Sequence, residues 1–201
     1  MRRNSRTLLA TASAAVAAVL LIAGGLLLRG SAYVHNTVQG QLAAQQINFP
    51  PAAAFAHPKT GSEITPSMIP SVSQYAGQQL LTGQQAEAYA DHFIAVHIAD
   101  MAGGKTYSQL STESQAQPNN AQLAGTVSTV FKGETLRSML LNAYGWWKVS
   151  QITYIISLVL FGLGAVAGLG SIFLFVTGRR NKDDAPVPPT AHETISPVQT
   201  A

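Results

Sequence analysis

The 201-residue chain contains no cysteine. That one absence excludes disulfides, thiolate metal sites, covalent haem attachment, a cysteine nucleophile and a lipidated cysteine anchor together. Charge is scarce too: Asp, Glu, Lys and Arg make up 10% of the residues, and the net charge is +3. No basic face with interleaved aromatics occurs, and a phosphate backbone needs one, so nucleic acid is disfavoured as a partner. Nor is there a period-two run of β-branched residues to propose a sheet.

What is present is apolar length. Leu8 to Leu28 and Ile152 to Val176 carry no formal charge, and a helix of about 20 apolar residues crosses a bilayer core. Transmembrane helices are therefore predicted at 8–28 and 151–177. The lack of ionisable residues inside them argues against a transporter or proton channel. Arg2, Arg3 and Arg6 precede the first run and Arg179, Arg180 and Lys182 follow the second, whereas the inner flanks offer Arg29 and Lys148. Basic flanks stay on the cytoplasmic side. The expected topology in a bacterial plasma membrane has a cytoplasmic basic N-terminus at 1–7, an extracytoplasmic domain at 29–150 and a cytoplasmic tail at 178–201. Tyr144, Trp146 and Trp147 are expected at the interfacial level. A secretory signal peptide, cleaved at Gly30-Ser31-Ala32, competes for the first run, but the run exceeds the roughly 7 to 15 residues of a signal core. The tail, with Pro186, Pro188, Pro189 and Pro197, reads as a disordered spacer.

The outer segment reads as helical. Val34, Val38 and Leu42 continue the first helix to about Gln46, where Pro50 and Pro51 are expected to stop it. Residues 49–70 hold five prolines and read as an extended connection pinned by Phe55 and Ile64. A short amphipathic helix follows over Val72 to Leu80. Thr82-Gly83-Gln84-Gln85 then has the form of a capping box, starting a helix that ends near Ala102 before Gly103 and Gly104. At about 100° per residue its inner face gathers Ala86, Tyr89, Ala90, Phe93, Ile94, His97 and Met101. Tyr107 to Asn120 reads as polar and turn-rich, and Ala121 to Phe131 as a short helix interrupted by Gly133. From Glu134 on, Leu136, Met139, Leu140, Ala143, Tyr144 and Trp147 follow helical spacing directly into the second span.

Chemistry-bearing candidates are few. His97 lies on the inner face with Asp100 three residues on, and a carboxylate can orient an imidazole for acid/base work or metal ligation; a core histidine satisfied by a neighbour is the plainer reading. His92 is about 140° away around the helix, so it does not complete a metal pair; a metal would need His35 or His57 to fold back. No metal or cofactor is expected. Residues 99–106 fit a relaxed phosphate-loop pattern, but here a helix precedes the glycines instead of following them, so no nucleotide site is expected. Lys105 is expected to cap that helix end. Arg137 is expected to pair with Glu134 or a helix carbonyl. Gly164 and Gly168, with Gly162 and Gly170, could pack closely against Ala10, Ala14, Ala18 and Gly25.

The stretches QLAAQQINFP, AYADHFIAVHIADMAGGKTY and FKGETLRSMLLNAYGWW resemble blocks of an uncharacterised actinobacterial group of two-span membrane proteins. The resemblance covers most of the outer domain and implies shared topology and location, without an activity to carry over to particular positions. Some members bear a ring-opening dioxygenase label, for which this chain offers no clear iron-ligand set. The resulting expectation is an all-α protein, with two transmembrane helices flanking a helical extracytoplasmic domain. It would act as an accessory, scaffold or interaction component of the cell envelope, in contact with the lipid bilayer and an envelope or membrane protein partner. The alternatives are a metal-dependent or acid/base enzyme centred on His97 and Asp100 with His92 in support, and a small-molecule sensor.

Overall fold

The computed structural model describes residues 2–58 and 64–183. Among them the secondary structure is helical, with no strand beyond one isolated antiparallel bridge between Asn48 and Gln79. In chain order the helices are α1 (Arg2–Ala44), α2 (Ala52–Ala56), α3 (Ile69–Val72), α4 (Gly83–Tyr89), α5 (Ala95–Met101), α6 (Tyr107–Ala116) and α7 (Ala121–Asp183), with a 3-10 turn at Ser73–Tyr75 and a π turn at Ala90–Ile94. Lys59 and Glu63 of the Pro-rich connection, and 184–201 of the expected tail, lie outside the described residues, as do the side chains of Arg2, Arg3, Arg179, Arg180 and Lys182.

Among the described residues two helices are long and apolar enough to cross a membrane, α1 and α7. The chain divides into two compact units, Met1–Ala23 with Val159–Ala201, and Gly24–Leu158. In the first, the early part of α1 packs along the later part of α7. The seam is small and polar: Ser13 Oγ donates to the Ala167 carbonyl at 3.1 Å and Ser171 Oγ to the Ala10 carbonyl at 2.9 Å. A Cβ at Gly164 would lie 3.0 Å from the Leu21 side chain, so glycine there sets the approach. The seam uses Ala10 and Ala17, whereas Ala18 is exposed and Gly162 and Gly170 face open space. Leu9, Val19, Ile22, Val166, Leu169 and Phe173 point away from it, each at least 60% exposed.

The second unit has a core of the ordinary inward kind. Val38 and Leu42 of α1, Met68 and Val72 around α3, Leu80, Phe93 and Ile98, and Val130, Leu140 and Trp147 of α7 pack as one cluster. Met68, Val72, Leu80 and Val130 are fully buried, each worth roughly 1.5–3 kcal/mol of apolar transfer. Phe55 and Ile64 are buried, so they do pin the connection.

Several boundaries differ from expectation for identifiable reasons. Helix α1 ends at Ala44 because Gln46 turns into the left-handed region at φ 53° and the chain then bridges to Gln79; Pro51 instead caps the start of α2. The helix expected to reach Leu80 stops at Tyr75, since Gly77 adopts φ 69° and Leu80 N–H donates to the Ile47 carbonyl. The Tyr107–Asn120 stretch is not turn-rich but holds α6, started by a second capping box in which the Thr106 hydroxyl accepts from Gln109 N–H and the Gln109 side chain accepts from Thr106 N–H. Gly133 does not interrupt α7. A Cβ there would lie 2.9 Å from the Ile98 side chain, so this glycine admits a neighbour rather than breaking a helix. Met139, assigned inward by spacing, is 63% exposed, and Leu141 packs against the core instead.

Candidate functional site

The predicted capping box is present: the Thr82 hydroxyl accepts from Gln85 N–H and the Gln85 side chain accepts from Thr82 N–H. It starts α4, which runs through the π turn into α5. A π turn accommodates one extra residue, so everything after it rotates relative to a uniform α-helix. That rotation reassigns the inner face. Ala86, Ala90, Phe93 and Ile94 are buried as the spacing predicts, but beyond them Ile98 and Ala102 take the inner positions. Met101 is 48% exposed and His97 sits half-buried at the edge.

The candidate His97/Asp100 pair is not assembled, and the plainer reading of a histidine bonded to a neighbour holds. His97 Nδ1 lies 2.7 Å from the Phe93 carbonyl, one helical turn back, while Asp100 and His92 are exposed. His97 Nε2 is buried without a hydrogen-bond partner, and the ring continues a row of aromatic contacts with Phe93, Tyr89, Phe49 and Tyr75 at centroid spacings of 4.7 to 5.3 Å. His35 does not approach it; that ring packs on Trp147 at 3.9 Å, and His57 is exposed after α2. Among the described residues no three His, Asp or Glu side chains gather to hold a metal.

The phosphate-loop match resolves as a helix end. Gly103 and Gly104 take φ of 59° and 75°, with Gly104 N–H donating to the Ala99 carbonyl and Gly103 N–H to the Asp100 carbonyl, a Schellman closure that occupies these amides. Lys105 does not cap α5 through its side chain; it pairs with Glu113 of α6.

A different polar pair joins α7 to the π turn. Arg137 Nη2 on α7 donates to Asp91 Oδ1 of the π turn at 2.8 Å, with Glu134 3.5 Å from Nη1. The hydrogen bond to Asp91 raises the guanidinium pKa, against the smaller lowering by burial. Of the two partner classes expected for Arg137, Glu134 is present, and Asp91 was not foreseen because it is distant in sequence. Trp147 takes the inward position its helical spacing predicts. It is 5% exposed in the core, its Cβ and Cγ occupying the space a Gly83 side chain would need, whereas Trp146 is 53% exposed.

Between α1 and α7 a groove of about 550 Å³ opens beside His35, the ring that packs on Trp147. Ser31 Oγ, donating to the Ser150 carbonyl at 2.7 Å, ties the two helices at its floor. Polar His35, Asn36, Gln151 and Tyr154 line it together with apolar Leu28 and Ile155. No family model, curated protein or solved structure matches this chain. Function therefore has to be argued from the molecule's own chemistry. Sequence reading passed over the groove, although polar residues just beyond both apolar runs were its visible sign.

Proposed function

We propose that the chain is a two-span protein of a bacterial plasma membrane, with both termini cytoplasmic, whose helical domain outside the bilayer serves as an accessory or scaffold for an envelope partner. The observation that carries this reading is the inverted surface of the terminal helices. Large apolar side chains such as Leu9, Val19, Val166 and Phe173 are exposed where water would penalise each of them, and a bilayer would not. Basic residues at both outer flanks support the orientation.

The scaffold part rests on how the domain is built. Its core includes side chains of α1 and α7 themselves, Val38, Leu42, Val130 and Leu140, so the helices that carry the spans also carry the domain. The acid/base alternative loses its motivating pair, since His97 is engaged with its own helix and Asp100 with solvent.

The absence of cysteine makes the test simple. Single cysteines replace exposed Ser5 or Gln115, and intact cells receive a membrane-impermeant maleimide. Gln115→Cys is expected to label in intact cells and Ser5→Cys only after lysis. Equal labelling of both in intact cells, or the reverse pattern, defeats the topology. Co-purification from native membrane in mild detergent then tests the scaffold role: a partner that requires residues 31–150 supports it, and identical recovery without them rejects it.

A further inference from the structure

The groove between α1 and α7 lies within the Gly24–Leu158 unit, and its lining divides by chemistry along both helices. Leu28 closes the first apolar run and Ile155 belongs to the second, whereas His35 and Asn36 follow the first run and Gln151 precedes the second. The floor hydroxyls are already engaged, Ser31 with the Ser150 carbonyl and Ser150 with the Trp147 carbonyl, both at 2.7 Å. The side chains of Asn36, Gln151 and Tyr154 have no hydrogen bond to another described residue and remain available.

No Asp, Glu, Lys or Arg lines the groove. A phosphate or carboxylate would find no permanently charged donor of the kind that strengthens such contacts, only the His35 imidazole that packs on Trp147. Carboxamides and a phenol both donate and accept, which matches hydroxyl groups. The volume is within the range of roughly 300–1,000 Å³ usual for small-molecule sites. The lining therefore fits an occupant that is uncharged and rich in hydroxyls at one end and apolar at the other.

We propose that this groove binds a membrane lipid with a neutral glycosyl headgroup, its hydroxyls meeting Asn36 and Gln151 and its hydrocarbon lying along Leu28 and Ile155. The proposal rests on the two-span reading, which places the end of each apolar run at the bilayer surface. Such a lipid would sit beside Trp147 and the Ser31–Ser150 tie, where α1 and α7 enter the domain.

Full-length protein reconstituted into phosphatidylglycerol/phosphatidylethanolamine nanodiscs doped with diglucosyl diacylglycerol tests this. Co-elution with the nanodisc is scored first, and lipids retained after transfer to detergent are then identified by native mass spectrometry. The glycolipid is expected to be retained above its share of the bilayer. Retention should fall about tenfold in Asn36→Ala/Gln151→Ala, two hydrogen-bonding groups being lost. Tyr33→Ala, removing an exposed ring on the same helix outside the lining, should retain it fully. Preferential phosphatidylglycerol retention, equal retention by the double variant, release of a bound polypeptide in place of lipid, or no lipid above the bulk share overturns the proposal. A chain that fails to enter the nanodisc refutes the two-span reading instead, so the two failures are distinguishable.

Discussion

The two units of this chain place the same kinds of residue on opposite sides. In Met1–Ala23 with Val159–Ala201 the seam is built from Ala10, Ser13, Ala17, Gly164 and Ser171, and the large aliphatic side chains face out. In Gly24–Leu158 the large apolar residues Met68, Val72, Leu80 and Trp147 face in, and charged residues such as Lys132 and Asp100 face out. Burying apolar area drives packing only when the alternative is water. Where lipid surrounds a helix, close approach of small residues and a few interhelical hydrogen bonds must do it instead. On the two-span reading proposed above, lipid around the first unit and water around most of the second would account for the contrast, and substitutions can test it unit by unit.

The largest expected effect separates two adjacent tryptophans. Trp147→Ala removes a ring at 5% exposure that packs on His35 and over Gly83, and should destabilise the domain by about 3–5 kcal/mol. Trp146→Ala, at 53% exposure, should stay within about 0.5 kcal/mol. Thermal unfolding followed by circular dichroism in mild detergent measures both. Equal losses would mean that the inward core of the second unit is not what holds it.

How much of this was legible depended on the signal. Apolar runs gave both terminal helices and the all-α class because they need no tertiary information. The Thr82 box and the Gly103-Gly104 closure were readable because side chain and backbone settle them locally. Thr106-Tyr107-Ser108-Gln109 carried the same capping signal as Thr82 and was passed over among polar neighbours. The displacement of His97 and Met101 was not readable: a π turn is an insertion in hydrogen-bonding register, and uniform 100° spacing cannot register it. Gly133 failed for a related reason, because whether a glycine breaks a helix or seats Ile98 is decided by a distant neighbour; for Trp147 the spacing pointed inward while the interfacial reading of its ring left the choice to that same kind of contact. The candidate site was therefore visible as composition, polar residues flanking the apolar runs, but not as a groove.

A smaller effect tests the first unit. Gly164→Leu should weaken the α1–α7 seam by about 1–3 kcal/mol, since the new side chain meets Leu21 and the Ala17 carbonyl. Ser171→Ala should cost about 0.6 kcal/mol, the usual worth of an interhelical hydrogen bond in lipid. Gly162→Leu, facing open space, should cost least. Equilibrium unfolding in mixed dodecyl sulfate and mild-detergent micelles ranks the three. If Gly162→Leu is as damaging as Gly164→Leu, that outward face is covered by protein and the contrast between the units breaks.

The smallest effect sharpens the contrast through pH. On the domain side of α7, burial raises the Tyr144 hydroxyl pKa, and the neighbouring Glu87 carboxylate raises it further, with Asp91 adding a weaker push. Lys148 lies over the ring at 5.5 Å. A raised pKa means that the folded state favours the neutral phenol. The stabilisation is thus complete below the unfolded tyrosine pKa of about 10 and is lost as pH rises through the folded value, because the unfolded chain releases the proton first. The stability difference between wild type and Tyr144→Phe should accordingly be constant from neutral pH to about 10 and shrink above it, read by urea unfolding at stepped pH. A difference that grows with alkalinity would mean that the phenolate is the favoured form beside Lys148, and that this stretch of α7 is governed by its cation rather than by Glu87 and the core beneath it.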